Sequence, residues 1–214
     1  MLSSLFRGTA LPGRQAAPSE RDPFAETLRL VGERVILRPL MIEDAPAMFA
    51  YARDSEVTRF LPWEPAATVE SVLPFLQDQV SRRTRQESLG MAILLAETGE
   101  MIGSTDLMDL RRIRGEGEIG YLLAQPYWGR GLMTEAARMT LECGFGRLKL
   151  TRVTAYADAE NRGSRRVLEK LGMNPWGSEM RVVHGEDRLY IRYQIRRATW
   201  LAEFRQRLSP QGTK

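Results

Sequence analysis

The sequence holds one cysteine and one histidine in 214 residues, and each shortage removes a class of function. Cys143 cannot form an intrachain disulfide, and no C-x-x-C pair or Cys/His zinc spacing can exist. No metal site is expected, and a reducing, cytoplasmic setting fits such sparse thiol chemistry. A run of about 18 apolar residues is also missing, so neither a transmembrane helix nor a membrane partner is expected. No G-x-x-x-x-G-K-[ST] segment is present, which removes the P-loop nucleotide hydrolases. Charge of one sign is scarce too: 31 Lys and Arg stand against 27 Asp and Glu. A surplus that small, spread along the chain, allows an anionic ligand but argues against nucleic acid as a partner.

What is present suits one buried domain: 43% of the residues are hydrophobic. The organisation expected is an N-terminal extension over 1–29, a domain over 30–196 and a helical tail over 197–214. The extension is rich in Ser, Ala, Arg and Pro, with no acid before Glu20. Its composition is like that of a transit peptide, but without the apolar stretch of a secretion signal. It is expected to pack on the domain or on a neighbouring subunit, and an ordered arm of this kind would suit a homodimer.

Along the domain, residues 34–40 alternate as a strand, and 42–53 have helical period with Asp44 as the expected cap and Pro46 in the first turn. Pro62 and Pro65 make 60–65 an aromatic loop. A second helix follows Thr68. Residues 89–96 and 101–107 form a hairpin around Glu97-Thr98-Gly99-Glu100, and 118–124 is the third strand of that meander. After a long helix over 131–145 come a strand at 152–157, a helix capped by Asn161 and ended by Gly172, and a last hairpin turning at His184-Gly185-Glu186-Asp187. This order is α+β and lacks the strict βαβα repeat of a doubly wound sheet.

The stretch Tyr127-Trp128-Gly129-Arg130-Gly131-Leu132-Met133-Thr134-Glu135-Ala136 is where extended period gives way to the long helix. A glycine turn that opens a helix presents unpaired N–H groups and the positive end of the helix dipole to an anion. The same glycines would also serve a plain tight turn. Gly115-Glu116-Gly117-Glu118-Ile119-Gly120 spells G-x-G-x-x-G, but a strand follows it where a dinucleotide site needs a helix, and its two carboxylates would repel a pyrophosphate.

Taken together, Glu118-Ile119-Gly120-Tyr121, the Trp128–Ala136 turn and helix start, Asn161-Arg162-Gly163-Ser164 and Leu171-Gly172-Met173 resemble the GNAT superfamily of N-acetyltransferases. The nearest likeness is to its RimJ/RimL-like branch, which includes acetylases of ribosomal-protein N-termini. The resemblance covers about residues 30–196. Trp128 and Met133 depart from the wider superfamily pattern at the outer positions of the turn.

The resemblance implies a mixed, mostly antiparallel seven-stranded sheet with a central splayed parallel pair, flanked by helices. It implies acetyl-CoA as cosubstrate, its pyrophosphate on the amides of Gly129, Arg130, Gly131, Leu132, Met133 and Thr134. The pantetheine arm would run along Tyr121, Leu122 and Leu123, with Asn161 offering its amide. The implied reaction is acetyl transfer to a primary amine, a small molecule or a peptide N-terminus, by direct attack in a ternary complex. The alternative is a non-catalytic acyl-CoA-binding module, which would need no acid or base.

Acetyl transfer to an amine needs a base for the amine and a proton for the departing thiolate. Glu118 is the candidate base, and Glu116, on the same face by period two, is the weaker one. Ser164 stands where relatives place a proton donor, and Tyr121, Tyr190 and Tyr193 are alternatives. Asn161 is also a helix cap, a role that uses only its oxygen. Cys143 lacks a basic neighbour and reads as a packed, inert thiol. Loop 60–65 and the last hairpin are expected to flank the acceptor. Trp176 is expected to pack under a loop, with the role of Trp63 open, and no acidic cluster is visible along the chain.

Overall fold

Side-chain alternation along the strands, interrupted at a few bulges, places packed side chains on both faces of one sheet. The computed structural model describes residues 22–208. The expected packing of the N-terminal extension falls largely on residues 1–21, outside that range.

The strands are β1 (Leu30–Val31), β2 (Val35–Pro39), β3 (Leu89–Leu95), β4 (Met101–Arg111), β5 (Glu116–Leu123), β6 (Arg152–Asp158), β7 (Asn174–Val183) and β8 (Glu186–Arg196). The helices are α1 (Ala45–Ala52), α2 (Ser55–Thr58), α3 (Leu73–Thr84), α4 (Leu132–Gly146), α5 (Arg162–Lys170) and α6 (Arg197–Leu208). Spatial order in the sheet is β1-β2-β3-β4-β5-β6-β8-β7. Only β5 and β6 run parallel; all other neighbours are antiparallel. The sheet has eight strands, not the seven expected, because the two residues of β1 add an edge beside Leu37 and Ile36.

One face takes the odd-numbered residues of β2, β3, β5 and the middle of β4 and carries α4 and α5, the parity changing at the bulges near both ends of β4. Leu107, Ile119, Val153 and Ala155 lie there with Ala136, Ala137 and Leu141 of α4, each nearly or fully buried. The helix forms because small and large apolar residues recur on one side of it, and Ala136 and Ala137 allow it close to the strands. The opposite face is covered over β2 to β4 by α1 and α3, where Ile36, Ala92 and Leu94 meet Met48, Tyr51 and Leu76. Beyond β4 no helix covers that face. This half-open floor holds Glu118, Thr154, Tyr156, Arg181 and Arg192.

The packed unit extends past 30–196 on both sides. Leu28 is 5% exposed in the main core, and Trp200 of α6 is equally buried with its ring 5.9 Å from that of Phe145. Asp44 does not cap α1 with its side chain; it accepts the Met41 N–H at 2.9 Å and both arms of Arg38 at 2.6 and 2.8 Å. The ion pair outcompetes the cap because a bidentate guanidinium gives two charge-assisted bonds.

Leu141 is fully buried between α4 and the sheet. Leu141→Ala is expected to lower unfolding stability by about 3 kcal/mol in urea melts with the slope unchanged.

Candidate active site

The glycine turn has the backbone that an anion cradle requires. Gly129 and Gly131 take φ of 72° and 78°, in the left-handed region that favours glycine. Gly131 is the N-cap of α4, and no side chain caps the helix there. The first-turn amides are thus left without a side-chain acceptor. A Cβ at Gly129 would meet nothing within 4 Å, so the turn is open outward. Met133 is 7% exposed and lies in the main core. Its bulk therefore points away from the open side of the turn, although small residues are usual at that position.

A brace that sequence reasoning missed holds this turn. Arg34 donates from Nε to Glu135 at 2.8 Å and from Nη1 to the Arg130 carbonyl at 2.9 Å, while its own backbone N–H meets Glu135 at 2.7 Å. The start of β2 is thereby tied to the first turn of α4, 101 residues away. An acid in the first turn of a helix was the visible signal, but such acids usually serve the dipole. Arg130 stacks over the Tyr127 ring at 5.6 Å, and the Trp128 indole donates to the Leu123 carbonyl at 2.7 Å.

Beside the turn the two parallel strands part. β5 and β6 pair only through Glu116↔Arg152, Gly117↔Val153 and Glu118↔Thr154. From 119 on β5 and 155 on β6 the edges diverge, leaving backbone groups without each other as partners. Tyr121 reaches across to α5: its phenol donates to the Ser164 carbonyl at 3.0 Å and lies 3.1 Å from Ser164 Oγ. Burial holds this phenol well above its usual range, so it stays neutral. Asn161 caps α5 as expected, Oδ1 accepting the Ser164 N–H at 2.9 Å. Of the other tyrosines, Tyr190 donates to the Phe60 carbonyl at 2.6 Å and Tyr193 accepts from Arg165 at 3.2 Å. Tyr190 is tied to the aromatic loop and Tyr193 is 1% exposed in the main core, whereas Tyr121 and Ser164 form a pair of hydroxyls at the divergence.

Glu118 points to the other face, because β5 alternates. It makes no hydrogen bond or ion pair among the described residues. Burial pushes its carboxyl up to about 7, and like charge from Asp109, Glu179 and Asp106 adds to this, with Arg181 pulling down. Sequence reading saw no acidic cluster, since these residues come from β4, β5 and β7 and meet only in the fold. Glu116 is ion-paired to Arg152 at 2.8 Å and is not a free base. Cys143 is 3% exposed, and burial pushes its thiol up to about 11, which makes it inert.

The aromatic loop and the last hairpin meet over the open floor. Tyr190 holds Phe60, Arg188 stacks on the Phe60 ring at 5.2 Å, and His184 Nδ1 lies 2.8 Å from Glu64. Trp63 is 49% exposed. Trp176 does not pack under a loop: it is 44% exposed with Arg192 over its ring at 4.5 Å. Arg181 lies over Tyr156 at 4.0 Å and pairs with Glu179 at 2.7 Å.

A sequence model of the acetyltransferase (GNAT) domain matches residues 34–174. The chain belongs to the GNAT family of acetyltransferases. It is 30% identical to the uncharacterized N-acetyltransferase p20 of Bacillus licheniformis over 148 residues, 69% of this chain and 83% of that protein. To the spermidine N(1)-acetyltransferase of Escherichia coli it is 28% identical over 172 residues, 79% of this chain and 89% of the other. Among solved structures, a GNAT acetyltransferase from Bacillus anthracis superposes with a TM-score of 0.71 at 26% identity, covering 80% of this chain and 99% of that one. GNAT enzymes draw the acetyl group from acetyl-CoA.

The pH dependence of stability follows from Glu118. Its folded value, about 7, lies above the ordinary 4.5, so the folded protein holds this proton more tightly. Stability from it is full below 4.5 and is lost as pH rises through about 7. Glu118→Gln is therefore expected to gain on wild type between pH 5 and 8, by up to about 3 kcal/mol, in urea melts at the two pH values.

Proposed function

We propose that this acetyltransferase moves the acetyl group of acetyl-CoA to the nitrogen of a small cationic primary amine, by direct attack with both substrates bound. The observation that carries the reading is the position of Glu118: a half-buried carboxyl without a partner, beside the strand divergence, with three further carboxylates near it. A carboxyl with a value near 7 takes a proton from an amine far better than an ordinary one. The surrounding acids favour an ammonium over a neutral or anionic acceptor. The likeness to a spermidine acetyltransferase supports the same class.

Acetyl-CoA supplies the activated thioester. Gly129, Arg130, Gly131, Leu132, Met133 and Thr134 would hold its pyrophosphate on backbone amides, Arg130 adding charge. Tyr121, Leu122 and Leu123 would pair with its amide-bearing arm, and Asn161, whose NH2 is not used in capping, would hold a carbonyl of it. On the helix face, the Tyr121 and Ser164 hydroxyls hold the proton that a departing thiolate takes. On the open face, Glu118 accepts the proton of the amine. Base and proton donor thus act from opposite sides of one strand gap.

Thiol release measured over spermidine, aliphatic diamines and N-terminal peptides tests the reading. Turnover with a cationic small amine is expected, and no release with any amine would sink it. For the amine that reacts, kcat/KM should fall tenfold per pH unit below about 7. Glu118→Gln should remove that limb and lower kcat by roughly 10²-fold or more. Arg34→Leu, which removes the brace on the glycine turn, should raise the Kd for acetyl-CoA several-fold, read by calorimetric titration.

A further inference from the structure

Asp106 is an acid in the middle of β4, between Thr105 and Leu107. Its even number places it on the face of Ser104, Met108 and Glu118, as the contact of Ser104 with Tyr51 of α1 also shows. Its cross-strand neighbours on both sides are glycines, Gly90 on β3 and Gly120 on β5. No Cβ therefore flanks it in register.

The two glycine gaps are used differently. Gln79 of α3 fills the one at Gly90. Its Nε2 donates to Asp106 Oδ2 at 3.1 Å, and its Oε1 accepts from Ser88 Oγ at 3.2 Å. The carboxylate only accepts, so it fixes which way the amide faces, the serine hydroxyl adapts as donor, and one carboxylate oxygen is committed. The gap at Gly120 holds a single group within 4 Å of the missing Cβ, the terminal methyl of Met108 at 2.6 Å. That methyl ends an unbranched thioether that repacks readily. Asp106 Oδ1 is fully buried and accepts no hydrogen bond of good geometry among the described residues, although the Leu89 amide lies near enough to the carboxyl to favour its charge. A buried acceptor left unpaired calls for an explanation.

We infer that Asp106 is an acceptor-binding residue, its Oδ1 taking an N–H of an aliphatic primary ammonium that enters over Gly120 beside Glu118. The inference rests on the amine-acetylation reading above. Met108 and Glu118 are paired across β4 and β5, as are Asp106 and Gly120, so the two carboxyls lie on one diagonal of the same face. A cation between them satisfies Oδ1 and relieves their mutual repulsion. The ammonium then gives one proton to the Glu118 carboxylate, leaving a neutral amine and a Glu118 carboxylic acid. Asp106 keeps its hydrogen bond and orients the freed lone pair.

The charges around this pair are Arg82 of α3, Asp109 of β4, and Glu179 and Arg181 of β7. Burial pushes the Asp106 carboxyl up to about 6, with Gln79, Arg82 and the Leu89 amide pulling it down and Asp109 pushing it up.

The test uses the full chain with spermidine as probe. Asp106→Asn retains an oxygen for Gln79 but loses the charge. It is expected to raise KM for spermidine at least tenfold, leave KM for acetyl-CoA within twofold, and move the acid limb of kcat/KM below its wild-type position. An unchanged spermidine KM, or both KM values rising together with a lower Tm, overturns the inference. Carbon-13 NMR of the wild-type Asp106 carboxyl gives a reading that needs no variant: its titration should move to lower pH when spermidine binds, and an unmoved titration overturns the proposal. Absence of thiol release from wild type with every amine would instead remove the acetyl-transfer reading. Release by wild type with no kinetic change in Asp106→Asn removes this inference alone.

Discussion

The structure depends on the short pairing of the one parallel pair of strands among the described residues. β5 and β6 share three residue pairs and then part. Backbone groups in a sheet interior are costly to leave without partners, and the pantetheine pairing proposed above would supply them. The gap also connects the two faces of the sheet. Tyr121 and Ser164 stand on one face, and Glu118 and Asp106 on the other, Asp106 beneath α3 and Glu118 on the neighbouring strand, because successive residues of a strand point opposite ways.

Helix α4 couples stability to this site. Its inner surface supplies much of the main core, and its first turn is the glycine cradle. Gly131 in the left-handed region fixes how the chain enters the helix, and Arg34 and Glu135 tie that entry to β2. The buried side chain of Met133 belongs to the same arrangement and anchors the turn in the main core. The opposite face is built for access, with α1 and α3 covering β2 to β4 and stopping short of β5.

Much of the fold was legible in the residues. Alternation gave the strands of the meander, helical period gave α4, and Asn161 and Gly172 marked the two ends of α5 as caps do. The misreadings have physical causes. The two-residue β1 is too short to show a period and exists because β2 offers it an edge. Asp44 looked like a cap until Arg38, six residues earlier, came within reach of both its oxygens. Trp176 reads as a core residue by type, yet it lies on the edge strand β7 and stacks with Arg192.

The candidate site divides along the same line. By itself the sequence determined what depends on neighbours along the chain: the glycine turn before a helix, the carboxylate strand before it, and the Asn-Ser start of α5. Local backbone geometry and short-range hydrogen bonds require those residues at those spacings. Only the tertiary structure decided what depends on strands distant in sequence. It brought Asp106, Asp109, Glu118 and Glu179 into one electrostatic neighbourhood, joined Tyr121 to Ser164 and tied Arg34 to the turn. Cross-strand register sets those distances, and no periodicity within a single segment encodes which residue of another strand will lie beside it.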